Sequence, residues 1–192
     1  MSRSMIRSTI GRVAMLALVA SLSGCAANYT TGNTSTVLLL MAGISPSPLQ
    51  SDVNTADGIK SDNATVALAV RFKNPNIETV PQIPSAVIVE RYEIKYRRSD
   101  GRGVEGQDVP FSISGNLTAG FDVKTSGTDP LVIEVVRAQA KLEPPLRNLR
   151  NNGGAIIATM FADITIHGRT ISNQVVTATG SLQIDFADWA DQ

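Results

Sequence analysis

Ile156-Ile157-Ala158-Thr159-Met160-Phe161-Ala162-Asp163-Ile164-Thr165-Ile166 sets Ile156, Ala158, Met160, Ala162, Ile164 and Ile166 on one face of an extended chain. Side chains alternate across a strand, so a period of two predicts a β-strand with one buried face. Val176, Ala178, Leu182, Ile184 and Phe186 share one face of the next such stretch. The intervening loop, residues 168–173, joins the two as a hairpin.

The same alternation recurs upstream. Val66, Leu68, Val70 and Phe72 alternate with Thr65, Ala67, Ala69 and Arg71, and Asn74-Pro75-Asn76 ends that strand because proline has no donor for the ladder. Ile88, Tyr92, Ile94 and Tyr96 lie opposite Arg91, Glu93, Lys95 and Arg97, with Ser99-Asp100-Gly101-Arg102-Gly103 as a hairpin tip. Val109, Phe111 and Ile113 predict a short strand ended near Gly115-Asn116, and Leu131 to Val136 predicts another. Val37-Leu38-Leu39-Leu40-Met41-Ala42 reads as a buried first strand stopped by Ser45-Pro46-Ser47-Pro48. Residues 50–63 read as a polar loop. Pro145 and Gly153 bracket one short helix or 3₁₀ turn. About seven strands with little helix predict an all-β fold, an antiparallel immunoglobulin-like β-sandwich. A closed barrel is the alternative.

The N-terminus has a different grammar. Arg3, Arg7 and Arg12 precede the apolar run Val13-Ala14-Met15-Leu16-Ala17-Leu18-Val19-Ala20, and then comes Leu22-Ser23-Gly24-Cys25. A basic region, an apolar region and a small-residue cleavage site make a secretory signal. The apolar run is shorter than the roughly 20 residues a spanning helix needs. Leu-Ser-Gly-Cys in this position resembles the lipobox of bacterial lipoproteins. The resemblance implies that the Cys25 sulfur takes a diacylglyceryl group, that cleavage falls between Gly24 and Cys25, and that the new amine is acylated. Two or more acyl chains hold a protein stably, at roughly 0.8 kcal/mol per buried CH₂. Ordinary secretion, with cleavage after a residue such as Ala27, is the competing reading. Residues 1–24 are thus expected to be a lipoprotein signal peptide, 25–36 a flexible tether, and 37–192 a single β-sandwich domain. Ala26 stands where an Asp would resemble an inner-membrane retention signal, which favours the outer membrane.

Composition narrows the function. The 192-residue chain has 17 basic and 17 acidic residues, and cleavage removes three arginines to leave 14 against 17, a net charge of −3. A nucleic-acid binder would normally carry a basic face, so no nucleic-acid partner is expected. Cys25 is the one cysteine; with its sulfur on lipid, the domain has no thiol for a disulfide, a metal or catalysis.

The chain also resembles a group of uncharacterised bacterial lipoproteins. The likeness runs through Ser45-Pro46-Ser47-Pro48-Leu49 with Ser51-Asp52-Val53, Phe72-Lys73-Asn74-Pro75-Asn76, and Tyr92-Glu93-Ile94-Lys95-Tyr96 with Asp100-Gly101-Arg102. It continues in Gln139-Ala140-Lys141-Leu142-Glu143-Pro144-Pro145-Leu146 and Phe186-Ala187-Asp188-Trp189-Ala190-Asp191. The group brings no activity with it. Over residues 66–76 alone, the strand ending in Asn-Pro-Asn looks like that of late-embryogenesis-abundant, water-stress β-sandwich domains, which implies the fold and a non-enzymatic stress role.

Residues with chemical potential each have a plain reading. His167, the only histidine, shares a polar face with Asp163 and Thr165 and reads as an exposed strand-end residue. A Ser-His-Asp site would place it beside an activated nucleophile, and no Gly-x-Ser-x-Gly occurs. One histidine and no free thiol make a poor zinc site. Asp52, Asn54, Asp57 and Asp62 offer oxygens for Ca²⁺ without an EF-hand spacing. Asp185, Asp188 and Asp191 do likewise, with Trp189 as a cap over the sandwich end. Arg137, Lys141, Arg147 and Arg150 read as a solvated basic loop, or as a surface for anionic headgroups or polymers. Asn63-Ala64-Thr65 and Asn116-Leu117-Thr118 match glycosylation sequons by chance.

No catalytic residue, metal or cofactor is expected. The expected task is non-enzymatic binding or scaffolding in the cell envelope, with a membrane partner through Cys25 and a protein or polymer partner through the loops. An envelope hydrolase using carboxylates or His167, and a calcium-dependent adhesion module, are the alternatives.

Overall fold

The computed structural model describes residues 35–56, 58–74, 76, 86–123 and 130–189. Eight strands lie among them: β1 (Val37–Ser45), β2 (Leu49–Asp52), β3 (Asp62–Phe72), β4 (Val87–Arg98), β5 (Ile113–Phe121), β6 (Leu131–Val136), β7 (Ala158–Thr170) and β8 (Val175–Ala187). Among the described residues the helical segments are the single turn Ala138–Lys141 and the 3₁₀ turn Leu146–Leu149, with Pro145 just ahead of the latter, beside a lone 3₁₀ residue at Asn76.

The β7–β8 hairpin is the centre of the larger sheet. Its register runs from Ala158 opposite Phe186 to Arg169 opposite Val175. Asn173 takes a positive φ of 61° in its turn, a conformation asparagine tolerates. Strand β4 pairs along the other side of β7, β5 pairs with β4, and β2 lies on β8, giving the order β2-β8-β7-β4-β5. A second sheet has the order β1-β3-β6. These are the places of strands A, B and E in one sheet and C′, C, F and G in the other sheet of an immunoglobulin-type sandwich. Between the sheets the inward residues form one core cluster that includes Leu68, Ile94, Ile133, Met160, Ile164, Leu182 and Phe186. Each such side chain contributes roughly 1.5–3 kcal/mol on burial, and the domain is held by this core.

Four details depart from the sequence reading. The pairing of β2 with β8 is parallel, so the sandwich is not wholly antiparallel. Ser45-Pro46-Ser47-Pro48 carries the chain from β1 in one sheet to β2 in the other, and β2 occupies part of the stretch read as a loop. That makes eight strands rather than about seven. The short strand expected at Val109 to Ile113 instead begins at Ile113 and runs through Gly115-Asn116 to Phe121. Gly115 is no terminator here. It lies opposite Tyr92, whose ring fills the space a Cβ at Gly115 would take. Ile156 precedes β7 and is exposed, and Ala158 is half-buried, so the buried face starts at Met160.

The two sheets share their poles. Ser51 of β2 pairs in register with Phe186 near the end of β8, and its hydroxyl bonds Asp62 at the start of β3. The starts of β3 and β6's helical turn therefore lie with the end of β8. The start of β1, opposite Phe72, lies at the other pole with the β7–β8 turn.

Candidate functional site

Polar side chains gather in two places: at the pole where β8 ends, and on the outer face of the larger sheet. At the pole, β6 pairs with the start of β3 and then turns into Ala138–Lys141, which brings Lys141 over Asp62. The Lys141 ammonium lies 2.9 Å from Asp62 Oδ2, and the lysine side chain is 2% exposed. Ser51, fully buried, donates its hydroxyl to the same oxygen at 2.5 Å. An ammonium out of water costs several kcal/mol unless it is paired, and this carboxylate supplies the pairing. A serine with no access to solvent has no access to substrate, so the arrangement is a clasp between β2, β3 and the helical turn.

Neighbouring groups are engaged in the same way. Asn54 Oδ1 accepts from Arg150 at 3.1 Å, and Asp52 Oδ1 accepts the Asn54 backbone N–H at 3.0 Å. Asp188, buried, accepts the Asn152 N–H at 3.2 Å. Asp185 accepts the Thr159 hydroxyl at 2.7 Å. Arg150 Nε and the Trp189 indole N–H are buried without an acceptor among the described residues. Asp57 and Asp191 lie outside the described residues. Among the described residues, no three His, Cys, Asp or Glu side chains converge as a metal site would require.

The basic quartet is solvated only in part: Arg137 and Arg147 are exposed as a solvated loop requires, while Lys141 and Arg150 turn into the domain. Lys141 is buried on Asp62, Arg137 bonds the Ser114 carbonyl at 2.8 Å with Glu134 at 3.6 Å, Arg150 turns to Asn54, and Arg147 is exposed. Sequence reading treated the acidic and basic clusters as separate sites. The fold joins them at two points, the Lys141–Asp62 ion pair and the Arg150–Asn54 hydrogen bond.

His167 stands on the outer face of the larger sheet, opposite Arg91 of β4 and Thr177 of β8. Its side chain is half-buried in the strand rather than exposed at its end, and Nε2 lies 3.8 Å from Glu93 Oε2 without a hydrogen bond. Arg91 bonds the other Glu93 oxygen at 2.5 Å. Along the same face Arg97 pairs with Asp163 at 2.8 Å and lies 4.6 Å over the Phe161 ring, while Arg169 reaches Glu90 at 3.3 Å. Arg91–Glu93 lies within β4 and the other two pairs join β4 to β7; all are exposed, each contributing at most about 1 kcal/mol.

Beside this ladder is an open cavity of about 200 Å³ lined by Glu93, Ile94, Lys95, Ser112, Ile113 and Ser114. Sequence spacing cannot reveal it, because Glu93 meets Ser114 only through the β4–β5 register. Ser112 hydrogen bonds draw the Glu105 carboxyl below its ordinary range. At the β4–β5 turn, hydrogen bonds from Arg102 hold the Asp100 carboxyl at about 2. Burial pushes the Tyr96 and Tyr92 phenols up; the Tyr96 hydroxyl donates to the Val135 carbonyl at 2.6 Å.

Gly24 and Cys25 lie outside the described residues, as do nearly all of the expected tether. Among the described residues no helix is long and apolar enough to cross a membrane. No protein-family model, no curated protein and no solved structure matches this chain.

Proposed function

We propose that this chain is a lipid-anchored cell-envelope protein, held at the outer membrane through acylated Cys25, whose β-sandwich is a non-enzymatic binding or scaffolding module. The observation that carries the reading is Leu22-Ser23-Gly24-Cys25 directly behind a basic and then an apolar segment. The state of the polar groups supports the non-enzymatic half. Asp62, Asp185 and Asp188 are each held in structural bonds, and Ser51 is sealed from solvent. Among the described residues, His167 Nε2 makes no hydrogen bond and so holds no hydroxyl nucleophile. A rigid sandwich presenting loops suits recognition of an envelope protein or polymer.

The anchor is tested by Cys25→Ser, which abolishes fatty-acid incorporation; unchanged labelling would refute it. The binding role is tested by crosslinking in intact membranes followed by purification of the adduct. A hydrolase would show itself differently: turnover on cell-wall or glycan substrates that disappears in His167→Ala replaces the non-enzymatic reading.

A further inference from the structure

We infer that the pole at which β1 begins is a lipid-contacting surface, with Ile171, Val175 and Ile88 as its contact residues and a bilayer as its occupant. The inference rests on the anchored reading of Cys25. Its starting point is where the N-terminal segment joins the domain. Val37 opens β1 opposite Phe72, and the Lys73 N–H bonds the Thr36 carbonyl at 3.0 Å, so the chain arrives at the pole that holds the β7–β8 turn.

Exposed apolar side chains stand there. Ile88 of β4, Arg169 of β7 and Val175 of β8 form one cross-strand row on the outer face, and the two apolar residues flank the arginine. Ile171 sits in the turn beyond, its N–H bonded to the Ala86 carbonyl at 3.2 Å. Ile171 is 58% exposed, and Ile88 and Val175 are each 47% exposed. An arginine between apolar residues suits an interface, where the aliphatic stem lies against the apolar layer and the head stays among polar groups.

The far pole also shows apolar residues, including Val104, Phe111 and Ile157. Distance separates the two. Ten residues lead from Cys25 to Ser35, and fully extended they span at most about 35 Å. Strand β4, with 12 residues, is itself about 40 Å long at the usual rise per residue. An acyl chain on Cys25 therefore holds the β7–β8 turn within about 35 Å of the bilayer and is too short to let the domain stand upright on its far pole.

Acylation consumes the only native thiol, so an introduced cysteine is uniquely labelled. The full chain carrying Ile171→Cys or Ser99→Cys, the latter at the far turn, is tagged with an environment-sensitive fluorophore. Each is reconstituted with phosphatidylethanolamine–phosphatidylglycerol vesicles containing a quencher on the acyl chains. The expected result is a blue shift and quenching for the Ile171→Cys probe and a water-like, unquenched Ser99→Cys probe. An unquenched Ile171→Cys probe on a vesicle-bound chain, or equal quenching at both sites, overturns the inference. Fatty-acid labelling of Cys25 reports on the anchor separately. Should that labelling fail, the probes are read in a Cys25→Ser background: quenching confined to Ile171→Cys keeps the surface without the anchor, and a chain that stays off the vesicles removes both.

Discussion

The Lys141 ammonium and the Asp62 carboxylate meet at 2.9 Å, in a site that leaves the lysine 2% exposed and the aspartate side chain 20% exposed. The asymmetry in exposure sets an order of mutational costs. Asp62→Asn strands a buried cation and is expected to cost about 3–5 kcal/mol. Lys141→Met removes the cation and leaves a carboxylate that still reaches water and the Ser51 hydroxyl, at about 1–2 kcal/mol. The double variant is expected to be more stable than Asp62→Asn alone, because no charge is left unpaired. Urea unfolding followed by Trp189 fluorescence measures all three, and strictly additive costs would show that the pair is not coupled.

Two glycines on β5 should respond oppositely to alanine. At Gly115 a new Cβ would collide with the Tyr92 ring, while at Gly120 nothing lies within 4 Å. Gly115→Ala is expected to cost about 1–3 kcal/mol by displacing a core aromatic. Gly120→Ala is expected to be neutral or to stabilise by about 0.4–1 kcal/mol, since it restricts the unfolded chain. Equal thermal melts for the two variants would mean that the Tyr92 ring does not pack on Gly115.

Tyr92 and Tyr96 link burial to pH. Both phenols hold their protons more tightly in the folded chain than the usual value of 10.0, first because burial disfavours the phenolate. A raised value in the folded state gives stability that is complete below pH 10 and is lost as pH climbs beyond it. Phenolate absorbance at 295 nm should therefore show Tyr92 and Tyr96 titrating late, together with alkaline unfolding. Tyr96→Phe deletes one late step and leaves the Val135 carbonyl without its donor, at a cost of about 1–3 kcal/mol. Titration of Tyr92 and Tyr96 near pH 10 in the folded chain would contradict the burial.

What was legible in the sequence was the part governed by local alternation. Met160 to Ile166 and Leu182 to Phe186 are buried as their period of two requires, and Ser99 to Gly101 forms the turn its residues suit. Strand β2 escaped because four residues, Leu-Gln-Ser-Asp, are too few to establish a period, and its partner β8 is far away in sequence. β5 was displaced because Gly115 and Asn116 are turn formers by local preference, and only the cross-strand Tyr92 makes a glycine useful inside a strand. The polar clasp was hidden for the same reason. Asp62, Lys141 and Ser51 come from three segments, and each looked locally like a surface residue. His167 and Glu93 likewise meet only through the β4–β7 register.

That clasp also decides how the Asp-rich segment responds to calcium. Ca²⁺ takes six to eight oxygens at about 2.3–2.6 Å, and a site must leave those oxygens available. Asp62 Oδ2 already serves Lys141 and Ser51, Asp52 Oδ1 serves the Asn54 N–H, and Asn54 Oδ1 serves Arg150. Two cationic side chains thus stand where the ion would need anionic ones. To bind at Asp62, calcium would have to displace the buried Lys141 ammonium, at the several-kcal/mol cost of breaking a buried pair. A thermal melt with and without millimolar Ca²⁺ is expected to give the same Tm, because only a ligand that binds the native state raises it. A clear upward shift that vanishes in Asp52→Asn would establish an adhesion-type calcium site and would require the loop to rearrange around the ion.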